Sequence, residues 1–210
     1  DVYKRQILPQ REKEYEGIKK IIKSFEGELI ELPKEIHVEG GDVINFDNYI
    51  FIGYYEKKNY TKLYTARTNK NAIDFFKKFF PKKRIKPFQL NKSNTNPKMN
   101  ALHLDCCLQI VGQYNAIMCS ELFTNKKDVV WLKSFFGEKN IFFADKNEMS
   151  SMYCNVLSIN RNTVVSQPSF NRLNTWLENL GYNVEVVNFN EVSKQGCLLY
   201  TSPSPRDRSI

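Results

Sequence analysis

The chain has 210 residues, 41% of them apolar, and a formal net charge of +8. No apolar run is long enough to span a bilayer, and no secretory or transit segment is visible, so the expectation is one globular, cytoplasmic domain rather than a membrane or disordered chain. Lys and Arg are scattered, with "PKKRIK" (81–86) the main local run, so the charge reads as a solvated surface and not as a nucleic-acid or membrane contact.

In chain order, segment 1–6 ("DVYKRQ") reads as adaptor-like and non-native, as does 197–210 ("CLLYTSPSPRDRSI"), leaving 7–196 as a domain expected to begin and end mid-fold. Tyr15, Ile18, Ile22 and Phe25 form one helical stripe, and 28–32 ("ELIEL") reads as a strand. A pattern of strand, tight turn, strand, helix, strand then occurs three times. Its first copy runs from Asp42 through "DVINFDNYIFIG", "TNKNAIDFFKKFF" and "RIKPFQL". The second comprises "LHLDCCLQIVGQYNAIMCS", "NKKDVVWLKSFFG" and "NIFFA", and the third "NVLSINRNTVVS", "SFNRLNTWLENLG" and "YNVEVVNF". Ala72, Ile73, Phe76 and Phe80 share one helix face; Phe170, Leu173, Trp176, Leu177 and Leu180 share another, with Ser169 as the expected cap and Gly181 as the stop. Loops 54–66 and 92–98 read as flaps over a pocket or as inert surface excursions. One such module cannot bury both faces of its sheet, so the copies must pack side by side, and residues at equivalent positions converge.

The residues that would meet are Glu39 and Asp42, flanking Gly40 and Gly41, and His103 and Asp105. The paired glycines remove side-chain bulk and permit positive φ, which lets a ligand or another backbone approach. Strict alternation over 102–111 predicts a strand with Leu102, Leu104, Cys106, Leu108 and Ile110 on one face and His103, Asp105, Cys107 and Gln109 on the other. Carboxylates and a histidine at one axis suit a flat cation such as a guanidinium, which forks onto carboxylates. A metal site from His103, Asp105 and Cys107 is disfavoured because alternating strand positions rarely close a tetrahedral shell, so neither a metal nor a cofactor is expected. Of the five cysteines, Cys106, Cys119 and Cys154 read as core; Cys107 lies about 13 Å from His103 along an extended strand. Their odd number, with no finger spacing, suits a reducing compartment. The rival of another class is a non-catalytic guanidinium- or polyanion-binding module.

"EGGDVI", "ARTN" (66–69), "LHLDCCLQIVG", "CNVLSI" and "VSKQG" together resemble the pentein, or guanidino-group-modifying, superfamily of arginine deiminases, dimethylarginine dimethylaminohydrolases and amidinotransferases, over nearly all of 7–196. The resemblance implies an α/β-propeller of ββαβ modules around a pseudo-fivefold axis, here incomplete, with about three and a half of five modules. It implies Cys-dependent hydrolysis of arginine or an arginine-like small molecule through a covalent thiouronium, or amidino transfer to an amine. On it, Glu39 binds the guanidinium, His103 is the general acid and base, Asp105 is the second guanidinium-binding carboxylate, Asp42 is a supporting acid and Arg67 holds the substrate carboxylate. Asp105 further implies an unsubstituted guanidinium, since the animal-type dimethylarginine enzymes carry lysine there. The family's nucleophilic cysteine is expected to be absent: Cys197 stands about four residues early and Thr201 takes the aligned place, so the chain is expected to be inactive. Homo-oligomerisation is left open.

Overall fold

The computed structural model describes residues 30–194. The expected first helix, Cys197, Thr201 and the segments 1–6 and 197–210 lie outside the described residues. Three three-stranded sheets follow one another along the chain, all built alike. In the first, β1 (Val43–Phe46) pairs antiparallel with β2 (Tyr49–Tyr54), helix α1 (Lys70–Phe79) crosses over, and β3 (Arg84–Gln89) returns parallel to β2. The second repeats this with β4 (Leu108–Val111), β5 (Asn115–Met118), α2 (Lys126–Phe136) and β6 (Ile141–Phe143). After a short helix α3 (Lys146–Ser150), the third uses β7 (Leu157–Ser158), β8 (Thr163–Ser166), α4 (Asn171–Asn179) and β9 (Asn183–Val186). The last described element is α5 (Asn190–Lys194). Among the described residues no helix is long and apolar enough to cross a membrane.

The helices begin and end where local chemistry dictates, with one exception. Asn69 caps α1 by accepting from the Ala72 N–H, and Asn125 caps α2 by accepting from Lys127. Gly181, at φ 85°, stops α4: its N–H reaches the Glu178 carbonyl and that of Tyr182 reaches Leu177, the paired bonds of a Schellman ending. Ser169 is not the cap of α4. Phe170 holds that position, and the Ser169 hydroxyl instead accepts from Gln167 Nε2 at 2.7 Å. Residues 30–32 of the expected early strand carry no strand pairing.

Packing explains why the modules do not stand alone. Phe51, Phe88 and Leu90 of the first module share one core with Leu108, Ile110, Met118, Leu132 and Phe136 of the second. Val111, Ile117 and Phe142 of that second module turn the other way, into a core with Val156, Val164, Phe170, Leu173 and Leu177 of the third. The middle sheet is therefore covered on both faces, which is why all four residues of β4 are buried. Polar ties bind the same seams: Lys86 Nζ lies 2.7 Å from Asp128 and sits over the Trp131 ring, and Tyr182 Oη donates to Asn115 Oδ1 at 2.7 Å.

The expected strand over 102–111 is shorter than its alternation suggests. Only Leu108–Val111 is extended, whereas Leu104–Cys106 coils into a 3₁₀ turn with His103 at its head. The turn changes which way each side chain faces. Cys107 is buried in the core and points its thiol at the Leu104 carbonyl, and Cys106, expected there, lies instead beside Asp105.

Candidate active site

Two 3₁₀ turns meet where the first strands of the first two modules begin: Gly40–Asp42 leads into β1 and Leu104–Cys106 leads towards β4. Asp42 joins them. Its side chain is fully buried, Oδ1 accepts from the Leu104 N–H at 2.9 Å, and Oδ2 accepts from the Thr68 hydroxyl at 2.6 Å. Thr68 Oγ1 in turn accepts from the Glu39 N–H at 3.1 Å, so one buried carboxylate holds the backbone under both Glu39 and His103. Gly53, on β2, leaves the room for this: a Cβ there would lie 2.6 Å from Asp42 Oδ1.

Of the two glycines, Gly41 serves close approach, whereas a Cβ at Gly40 would meet nothing within 4 Å. Neither Gly40 nor Gly41 adopts positive φ. At Gly41 a Cβ would fall 2.8 Å from His103 Nδ1 and 2.9 Å from Asp105 Oδ2, so the imidazole and carboxylate rest directly against bare backbone. This brings Glu39, Arg67, His103 and Asp105 together. Glu39 Oε2 lies 2.7 Å from His103 Nε2 and accepts from Arg67 Nη1 at 3.2 Å, with the Glu39 and Arg67 side chains each 14% exposed.

Electrostatics in this dry cluster oppose one another. Burial raises the pKa of Glu39, but the hydrogen bond and charge of His103 and the neighbouring Arg67 outweigh it and the carboxyl ends below its usual range. Burial likewise disfavours the His103 imidazolium, yet the hydrogen bond to Glu39 and the charges of Asp42, Asp105 and Glu39 prevail and its pKa is raised. Asp105 goes the other way: burial, reinforced by Asp42, pushes its carboxyl up to about 7 against the opposing pull of His103.

The four described cysteines are poor nucleophiles as placed. Burial pushes the thiols of Cys106, Cys107 and Cys154 up, and raises Cys119 to about 11. Among the described residues, His103, Asp105 and Cys106 offer metal-ligand atoms within 4.8 Å of one another. This is the set weighed from sequence with Cys106 in the place of Cys107, and its thiol would have to lose a proton that burial and Asp105 hold in place.

Both loops singled out in the sequence touch this centre. Loop 54–66 brings the Tyr60 hydroxyl to 2.9 Å from His37 Nδ1, and burial together with the charges of Asp42 and Glu39 pushes the phenol pKa up. Loop 92–98 contributes Lys92, whose Nζ donates to the Leu102 carbonyl at 2.7 Å and whose charge acts on Asp105. Thr68, Tyr60 and Lys92 were not candidates from sequence; only Thr68 lay inside a quoted motif, "ARTN".

The family model for N,N dimethylarginine dimethylhydrolase, eukaryotic, matches residues 10–197. The chain belongs to this dimethylarginine dimethylhydrolase family. The family is one of guanidino-group hydrolases within the pentein superfamily, and the chain has its α/β fold. Among curated proteins, the "Uncharacterized protein YkgA" of Bacillus subtilis (strain 168) is 26% identical over 159 residues, 76% of this chain and 48% of that protein. The chain thus spans about half the length of the curated relative it matches. Solved structures share the fold, two of which illustrate it. One is the N-terminal domain of ArgZ, an arginine dihydrolase from the ornithine-ammonia cycle in cyanobacteria, in a mutant bound to substrate: TM-score 0.73, 17% identity, 90% of this chain and 64% of that one. The other is DDAH from Pseudomonas aeruginosa, in a mutant complexed with citrulline: TM-score 0.66, 19% identity, again 90% of this chain and 64% of that one.

Proposed function

We propose that these residues form the guanidinium-binding site of an arginine-type amidinohydrolase. The observation that carries this reading is the 2.7 Å contact between Glu39 Oε2 and His103 Nε2, with Asp105 beside the same imidazole. A guanidinium is planar and donates in pairs, so Glu39 and Asp105 receive it on two edges while His103 stands over the nitrogen that will leave. Asp42, both of whose oxygens are already occupied by protein donors, positions the site and leaves the ligand to Glu39 and Asp105. Arg67 takes the ligand's carboxylate.

In the chemistry this site suits, a thiolate attacks the guanidinium carbon and forms a C–S bond. The C–N bond to the departing amine breaks as His103 delivers a proton to that nitrogen. Water, deprotonated by the now neutral His103, then displaces sulfur, so that arginine and water yield citrulline and ammonia. The raised pKa of His103 keeps its proton available for the first step. The raised thiol pKa values of the four described cysteines argue against any of them as the nucleophile, and the chain on its own is expected to bind arginine without releasing citrulline.

Asp105 favours arginine over an asymmetrically dimethylated guanidinium. A doubly methylated nitrogen has no N–H to give, so one of the two carboxylates would be buried against methyl groups without a donor.

Titrating arginine and asymmetric dimethylarginine into the chain by calorimetry from pH 6 to 8 tests this reading. One arginine should bind per chain, roughly tenfold or more tighter than the dimethylated compound. The sign of the pH effect follows from Asp105, which must ionise to accept the cation. Arginine binding therefore tightens as pH rises through about 7 and levels off above it, and below about 7 binding releases a proton. Absence of binding, or affinity flat across this range, would overturn the proposal.

A further inference from the structure

Arg67 already occupies part of the proposed substrate position. Its Nη1 donates to the Glu39 oxygen that His103 also touches, while its Nε is held by the Tyr64 carbonyl at 3.1 Å. The protein's own guanidinium thus engages the carboxylate proposed to take the ligand's. Resting on that proposed function, we infer that Arg67 is an internal stand-in for the substrate and that a ligand enters by ion-pair exchange, which requires it to carry a carboxylate as well as a guanidinium.

The exchange follows from counting charges in a half-buried site. An incoming guanidinium cannot share Glu39 fully with Arg67, because it would be a third cationic group on a carboxylate whose Oε2 already meets both Arg67 and His103. Arg67 must swing off, and its side chain is as little exposed as that of Glu39, so it leaves one ion pair with little water to replace it. A ligand with a carboxylate supplies the missing partner: one pair breaks, and two form, from ligand guanidinium to Glu39 and from Arg67 to ligand carboxylate. A guanidine without a carboxylate breaks the same pair and leaves Arg67 without a counter-ion. Arg67 is tethered in the chain and competes at a high effective concentration, so the penalty falls on every ligand of the second kind.

Two probes separate this from a purely supporting role for Arg67: L-arginine, and n-butylguanidine, which has the guanidinium and the alkyl stem but no carboxylate. Calorimetry on the unmutated chain and on Arg67→Gln should show opposite signs. Arginine should bind the variant roughly tenfold more weakly and n-butylguanidine roughly tenfold more tightly. If Arg67 only braces Glu39, both ligands weaken together, and the exchange is wrong. A second readout needs no substitution: the Arg67 Nε–H resonance of the unmutated chain should move on saturation with arginine, and a stationary signal overturns the inference even if the variant fails to fold. Should neither guanidine bind the unmutated chain, the guanidinium reading of the site itself falls. Should arginine bind normally and n-butylguanidine gain nothing from Arg67→Gln, only the exchange falls.

Discussion

Glu39→Gln is expected to weaken arginine binding roughly a hundredfold and to lower the pKa of His103. The substitution keeps the size and removes the charge that a guanidinium needs. Losing one charge-assisted pair in a site this buried costs about 3 kcal/mol, which is the stated factor. The effect on His103 has a separate cause. Burial alone disfavours its imidazolium, and the hydrogen bond and charge of Glu39 are among the contacts that reverse this. With a neutral amide at position 39 the proton is lost at lower pH, a shift readable from the imidazole C–H resonances during a pH titration. Calorimetry and that titration test different consequences of one contact. If both remain at their unmutated values, Glu39 and His103 are not coupled as their 2.7 Å separation implies.

Asp42→Ala is expected to be the most destabilising single change at the site, at about 3 kcal/mol, while Asp42→Asn costs about 1 kcal/mol. Alanine leaves the Leu104 N–H and the Thr68 hydroxyl facing a void in a place water does not reach. Asparagine keeps an acceptor for Leu104 and fills the same volume beside Gly53, so only the Thr68 bond must be rearranged. For a domain of this size the alanine variant should melt about 6–12 °C lower and the asparagine variant about 2–4 °C lower. Arginine affinity should fall in the alanine variant although Asp42 does not touch the ligand, because the turns carrying Glu39 and His103 lose their common support. Thermal unfolding followed by circular dichroism measures the first effect and calorimetry the second. Equal losses for the two variants would mean that the buried bonds are not what holds the turns.

The repeat was legible because burial leaves a period in the sequence. Alternating residues on the strands and the Ala72, Ile73, Phe76 stripe on α1 report which face is dry, and each module reports it again. The convergence of Glu39 with His103 was legible for the same reason, once repeated modules had to pack together. What failed was the local geometry that tertiary contacts impose. Residues 102–107 alternate like a strand, yet Leu104 gives its N–H to Asp42, which is 62 residues away, and coils into a turn. A change of that kind sends neighbouring side chains to the opposite face, and so Cys106 and Cys107 exchanged places relative to expectation. Thr68 and Tyr60 were missed because their partners are likewise distant in sequence: Thr68 meets Asp42 across 26 residues and Tyr60 meets His37 across 23. The expectation that the glycine pair permits close approach holds at Gly41, through missing bulk and not through backbone sign, but not at Gly40, where a Cβ would meet nothing.

The most direct test of the site is a crystal structure of the chain soaked with L-arginine above pH 7. Electron density should place the guanidinium plane between the Glu39 and Asp105 carboxylates, under the His103 ring, with Arg67 released from Glu39 and turned to the ligand's carboxylate. Arginine bound elsewhere, or density showing Arg67 still paired with Glu39 at full ligand occupancy, would contradict it.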